Sequence, residues 1–236
     1  MGEMGLGYGS EYQLLRFLGH HRNYLNGRIQ KILGTQEEIH WLDYPSNYGK
    51  ASLDAEWVGI ECFKDKPNFD EIRQRWDNFW PSKTKAQNWD GIFRVGSKWY
   101  FVEAKAHEEE TRSSCKASDP KSVEMINQAF GKVAAHYKSS KGNEWASADC
   151  KSYQLANRLA FIYFCKKQGI DAALLYINFI NGFDKLGTQG KMNVSSETQW
   201  DEIWQHHFQS LGIQREAVRK IWFSMCIDCT TEFTTL

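Results

Sequence analysis

Between Ser10 and Leu33 apolar side chains return at helical spacing: Leu14, Leu15, Phe17, Leu18, Leu25, Ile29, Ile32 and Leu33. That period predicts a helix with one buried face, capped by Ser10 and stopped by Gly34. Ala55 to Phe63 is β-prone and of strand length, and Phe69 to Phe79 returns to helical spacing and ends before Pro81. Trp89 to Val95 and Lys98 to Ala104 are two β-rich runs separated by Gly96-Ser97, a pair suited to a two-residue hairpin turn. Ser122 to Tyr137 and Tyr153 to Lys167 predict helices, the second stopped by Gly169. Ala172 to Ile180 is an unbroken apolar run that fits a buried strand. Ser196 to Leu211 predicts a helix capped by Ser195 or Ser196, and Lys220 to Ile227 a last strand. The order helix, strands, helices, strand, helix, strand predicts an α/β layered sandwich with a central mixed sheet flanked by helices. Without repeats or a long linker, residues 1–236 are expected to form one domain.

Composition narrows the function more than the fold. Lys+Arg and Asp+Glu both number 29, so the net charge is zero, and any affinity for nucleic acid must come from local basic patches. No apolar run reaches membrane-spanning length, and the Met-Gly-Glu-Met-Gly start does not read as a signal peptide. The spacing of the six cysteines suggests no dense disulfide framework, so a reducing cytoplasm is the expected compartment. Cys226 and Cys229 have the spacing of half a zinc site, but a structural zinc needs four ligands and there is no second pair. His206 and His207 are the only nearby additions, and a buried strand with two free thiols is the expected reading.

The hairpin carries the chemistry. With Gly96 and Ser97 as the turn, Val95 pairs with Lys98 and Arg94 with Trp99. Continued down the ladder, this register sets Asp90 opposite Glu103. Opposed residues hold their Cβ atoms about 4.5–5.5 Å apart, so register alone forces two carboxylates together. A divalent cation is the usual relief for that repulsion. Lys105, two residues on, shares the face of Glu103, and His107 follows if the strand runs so far. Two carboxylates and an ammonium at one strand end suit phosphodiester hydrolysis. On this reading Lys105 is an exposed lysine whose removal leaves the fold intact. Glu103→Gln, which relieves the repulsion, is expected to be at least as stable as wild type without metal.

Trp89-Asp90-Gly91 followed by Glu103-Ala104-Lys105 resembles the Asp…Glu-x-Lys signature of the PD-(D/E)XK nuclease superfamily. Ser113 to Ala117 and Tyr153 to Leu159 also resemble stretches of an uncharacterised bacterial group with this signature, so the likeness covers roughly residues 80 to 180. Trp89 stands where the superfamily often has proline. The resemblance implies a restriction-endonuclease-like fold and a nuclease using Mg2+, or Mn2+, on DNA first and RNA second. It implies Asp90 and Glu103 as metal ligands, with Lys105 assisting water and charge. It also implies a further acid from the first helix, for which Glu11 is the candidate and Glu37 and Glu38 are rivals.

Gln154 and Arg158 share a helical face and, by the same resemblance, could turn toward the metal site or a phosphate. On that expectation their alanine variants weaken DNA binding more than stability. Lys116, Arg112 and Lys121 lie in the polar segment after the hairpin and could clamp a phosphate backbone, as could Lys83 and Lys85 before it. Trp80 and Trp89 are considered as stacking platforms for unpaired bases, although most tryptophans here are expected in the core. A second reading is a catalytically silent nuclease-like domain that binds nucleic acid or a protein partner. The neutral charge favours it, and the complete Asp90, Glu103, Lys105 set favours catalysis.

Overall fold

The structure, a computed structural model, describes residues 9–45, 56–81, 86–182 and 194–230. Lys83, Lys85 and Ala55, named above, lie outside the described residues. The N-terminal helical pattern forms two helices, α1 (Gly9–His20) and α2 (Arg22–Leu33), where one was expected. They part at His21, whose φ of −130° and ψ of 33° are not helical. The Arg22 side chain caps the Leu18 carbonyl at 2.9 Å there. Leu18 and Leu25 are seven residues apart, a spacing that an unbroken helix would also give, so the break leaves no trace in the periodicity. Gly34 closes α2 in the left-handed conformation, as its place predicts.

A five-stranded sheet follows, in the order β1-β4-β5-β6-β7, made of β1 (Ile39–Trp41), β4 (Gly91–Val95), β5 (Lys98–Lys105), β6 (Ala172–Ile180) and β7 (Trp222–Asp228). Pairing is antiparallel from β1 through β5 and parallel from β5 to β7, so the sheet is mixed. A second, two-stranded sheet joins β2 (Trp57–Val58) to β3 (Asn88–Trp89). The predicted strand at 55–63 is therefore short; a turn and a 3-10 segment, Glu61–Phe63, take the rest. The remaining helices are α3 (Phe69–Asp77), α4 (Pro120–His136), α5 (Tyr153–Lys167) and α6 (Glu197–Leu211). Asp119 caps α4, accepting from the Ser122 N–H, and Ser196 caps α6.

Two apolar cores lie on the two faces of the sheet. Leu14, Phe17, Leu25 and Ile29 of α1 and α2 cover one face, packing on Val102, Ala104, Leu175 and Ile177. Helices α3 to α6 cover the other, with Phe101, Leu174 and Tyr176 turned toward Phe161, Leu155 and Trp204. β6 is buried at all nine positions because it is central and covered on both sides, which explains its unbroken apolar run. No helix among the described residues is long and apolar enough to cross a membrane.

Candidate active site

Asp90 sits where the chain changes partners. Before it, Trp57 pairs with Trp89 and Val58 with Asn88; after it, Gly91 pairs with Val102 and Val95 with Lys98. Extending each ladder by one step sets Glu56 opposite Asp90 on one side and Glu103 opposite it on the other. The turn register read from Gly96-Ser97 thus holds, with Gly96 at φ 55°. The Asp90 N–H donates to the Val102 carbonyl at 3.2 Å, and its carboxylate accepts from the Ala104 N–H at 2.7 Å. Strand alternation turns Glu103 and Lys105 to the α5 side, since Phe101 belongs to that core and Val102 and Ala104 to the opposite one.

Three acids converge at this junction. Carboxylate oxygens of Glu11, from the first turn of α1, of Glu56 and of Asp90 all lie within 4.8 Å of one another. Burial, and then the Glu103 charge, push the Asp90 carboxyl up to about 8. Burial, and then Glu11, also raise Glu56, whose carboxylate accepts from the Asn88 side chain. Such an all-oxygen, partly buried set of like charges fits a hard divalent cation of the Mg2+ or Mn2+ kind. Glu11 is therefore where the resemblance implied an acid. Its rival Glu37 lies beside Gly96 at the far end of the hairpin, and Glu38 faces His40. Glu56 was not foreseen. Its only sequence signal is an acid preceding a Trp-Val pair, and its partner segment Asn88-Trp89 is equally short.

Glu103 is held differently. Its carboxylate takes the Arg158 Nε at 2.5 Å on one oxygen and the Lys105 Nζ at 3.0 Å on the other. Burial alone would raise Glu103, but Arg158 and then Lys105 outweigh it, and the net shift is downward. Burial alone would lower Lys105, but Glu103 and then Asp90 hold it protonated and raise it. The two carboxylates thus share no symmetric repulsion: Glu103 is neutralised by two cations, and Asp90 carries the strain.

Three expectations change as a result. Lys105 is 5% exposed and packed in an ion pair, so it is not a surface lysine. Glu103→Gln would strand two buried cations, so the expected tolerance of that change is reversed. Arg158 does reach the site, but it is 7% exposed, donates to the Asn88 carbonyl at 2.9 Å and lies 4.8 Å above the Trp89 ring. Its removal therefore costs stability first.

The other candidates are dispersed. Gln154 is half-buried; its backbone N–H donates to Ser113 Oγ, and no hydrogen bond among the described residues brings its side chain to the acids. Lys116 is exposed, and Arg112 pairs with Glu108. Trp80 and Trp89 are 1% and 0% exposed, core residues that cannot stack on a base. β5 ends at Lys105, and His107 beyond it meets Glu109 and Glu110. Cys226 packs against the Trp200 cluster and Cys229 against the α1 core, with burial pushing both thiols up to about 12.

The turn that follows β5 is pinned by a buried relay. His207 Nδ1 meets the Ser152 hydroxyl at 2.8 Å and His207 Nε2 meets Thr111 Oγ1 at 2.7 Å. Thr111 spends its own proton on the Glu108 carbonyl at 2.6 Å, so His207 donates from Nε2, and the neutral ring that its burial favours accepts at Nδ1 from the Ser152 hydroxyl. Burial, and then Arg112, push its pKa down from 6.5 to about 4. The unfolded chain binds this proton more readily, so the relay contributes fully above pH 6.5 and is lost as pH falls through about 4. Each pH unit between those two values weakens the fold by about 1.4 kcal/mol. Melting temperature should therefore fall over that range, and His207→Gln should flatten this part of the curve; an unchanged slope would refute the relay. Comparison with models of known protein families, with curated proteins and with solved structures yields no match.

Proposed function

We propose that this chain is a metal-dependent nuclease that hydrolyses phosphodiester bonds of DNA. The observation that carries this reading is the convergence of Glu11, Glu56 and Asp90 within 4.8 Å, beside the Glu103–Lys105 pair. Glu11, Glu56 and Asp90 would hold the cation, with Glu103 as a further donor if Arg158 releases one of its oxygens. A divalent cation so held supplies a Lewis acid for the phosphate and a hydroxide source near neutral pH. Lys105 is near enough to Asp90 for that carboxylate to raise its pKa, and its ammonium can offset charge developing on a phosphate. Glu103 holds that ammonium in place, and Arg158 holds Glu103. A restriction-endonuclease-like fold is part of the same proposal, supported by the acid-bearing helix, the antiparallel hairpin and the α5 crossover to a parallel strand.

A second reading rests on a specific observation: both Glu103 oxygens and the Lys105 ammonium are already engaged. A domain locked in that state would bind nucleic acid without cutting it. One assay separates the two. Plasmid and single-stranded DNA are incubated with Mg2+, Mn2+ or EDTA and with wild type or Lys105→Met, which keeps the length and loses the charge. Cleavage by wild type that needs metal and falls about 10²–10³-fold in the variant supports catalysis. Binding without cleavage in every metal supports the silent domain, and equal cleavage by both proteins places the chemistry elsewhere.

A further inference from the structure

Along α1, Glu11, Leu15, Leu18 and Gly19 fall on one stripe. The stripe that begins at the acidic cluster continues, about 6 Å further on at 1.5 Å per residue, as the wall of a cavity. That cavity measures about 220 Å3 and is walled by Leu15, Leu18, Trp41 and Tyr44, with Arg22 and Asp43 at its exposed rim. Its floor is Gly91, the residue next to Asp90. A Cβ at Gly91 would stand 3.1 Å from the Trp41 ring, so the indole lies directly over the chain beside the acid. The Tyr44 hydroxyl donates to the Asp90 carbonyl at 2.7 Å and ties the cavity wall to the same residue.

We propose that this cavity receives one unpaired nucleobase of the strand whose phosphate meets the acidic cluster, an inference that rests on the nuclease reading above. The volume is below the roughly 300–1,000 Å3 of drug-sized pockets, so it takes a single ring system. Aromatic and aliphatic walls suit the flat face of a base, which any base offers. The Arg22 guanidinium and the Asp43 carboxylate supply donors and acceptors for a base edge. Among the described residues Arg22 forms no ion pair, and its hydrogen bond there runs from Nε to the Leu18 carbonyl, not from the terminal nitrogens. A base inside a duplex is covered on both faces and paired at its edge, so only an unpaired or turned-out base can enter. The substrate class is therefore single-stranded or locally opened nucleic acid.

Gly19 allows a clean test. Gly19 lines the cavity and a Cβ there meets nothing within 4 Å, so Gly19→Leu adds bulk at the cavity wall and removes no contact, and leucine favours the helix. Cleavage rates in Mg2+ are compared for wild type and Gly19→Leu on a single strand, on the same strand with one abasic position moved along it, and on the matched duplex. Wild type should lose about tenfold at one abasic position, the scale of one base stack. Gly19→Leu should lose about as much on the intact strand and be indifferent to the abasic position. Both proteins should gain the same melting temperature from Mg2+. If wild type cleaves and neither change matters, the base site is wrong and the nuclease reading stands. Equal loss on strand and duplex would mean backbone contact and would overturn the base assignment. If wild type cleaves nothing, both fall.

Discussion

Asp90→Asn is expected to stabilise the metal-free protein at neutral pH and to remove its melting response to Mg2+ and Mn2+. Burial and the neighbouring Glu103 charge raise the Asp90 carboxyl from 3.8 to about 8. Because the folded-state pKa is the higher one, the contribution of Asp90 is fully present below pH 3.8 and is lost as pH rises through about 8. At about 1.4 kcal/mol per pH unit, the penalty near pH 7 reaches a few kcal/mol. Asparagine keeps the oxygen that accepts from the Ala104 N–H and carries no charge to bury. In EDTA the variant should therefore melt roughly 10 °C or more above wild type at pH 7, given about 2–4 °C per kcal/mol for a chain of this size. The gap should close as pH falls toward 4. Added cation should raise wild type, as any ligand of the folded state does, and leave the variant unmoved. A variant that melts below wild type in EDTA, or rises equally with metal, would show that Asp90 is neither strained nor a ligand.

Arg158→Ala should be the most damaging single change at the site. Glu103 is 2% exposed, and Arg158 is its strongest counter-charge. Removing one partner of a buried ion pair costs about 3–5 kcal/mol, because the remaining charge has no water to return to. A melting decrease of roughly 6–20 °C follows. Arg158→Met keeps an aliphatic stem against Trp89 and removes only the charge, so it should lose nearly as much as Arg158→Ala. If Arg158→Met melts close to wild type, the loss comes from packing on Trp89 and not from the under-compensated carboxylate.

The residues behind these two predictions also mark where sequence reasoning stops. The facing of Asp90, Glu103 and Lys105 was legible because a two-residue turn counts strictly outward along both strands. Glu11 was legible only through resemblance, since an acid in a first helical turn is common. Glu56 was hidden: β2 and β3 are two residues each, too short for any alternation, and their pairing spans more than thirty positions. The break at His21 was hidden because the apolar spacing is the same with or without it. Burial was misjudged for Lys105 and Arg158 for one reason. Charged residues read as surface residues until a partner is found, and Glu103 serves as that partner for both. The strands β6 and β7 and the helix α5 were found nearly to the residue, as long apolar or amphipathic runs allow.

The position of Asp90 between two ladders has a consequence for how this chain can vary. Enzymes that carry their acids on loops can gain or lose residues near the site and readjust. Here Glu56, Asp90 and Glu103 are aligned by strand pairing alone, and a strand shifted by one residue presents its opposite face. A single-residue deletion or insertion between Trp89 and Lys105 would exchange the Ala104 methyl for the Glu103 carboxylate, whatever the substituted side chains. Length is therefore a constraint on this hairpin in its own right, separate from the composition of its buried positions.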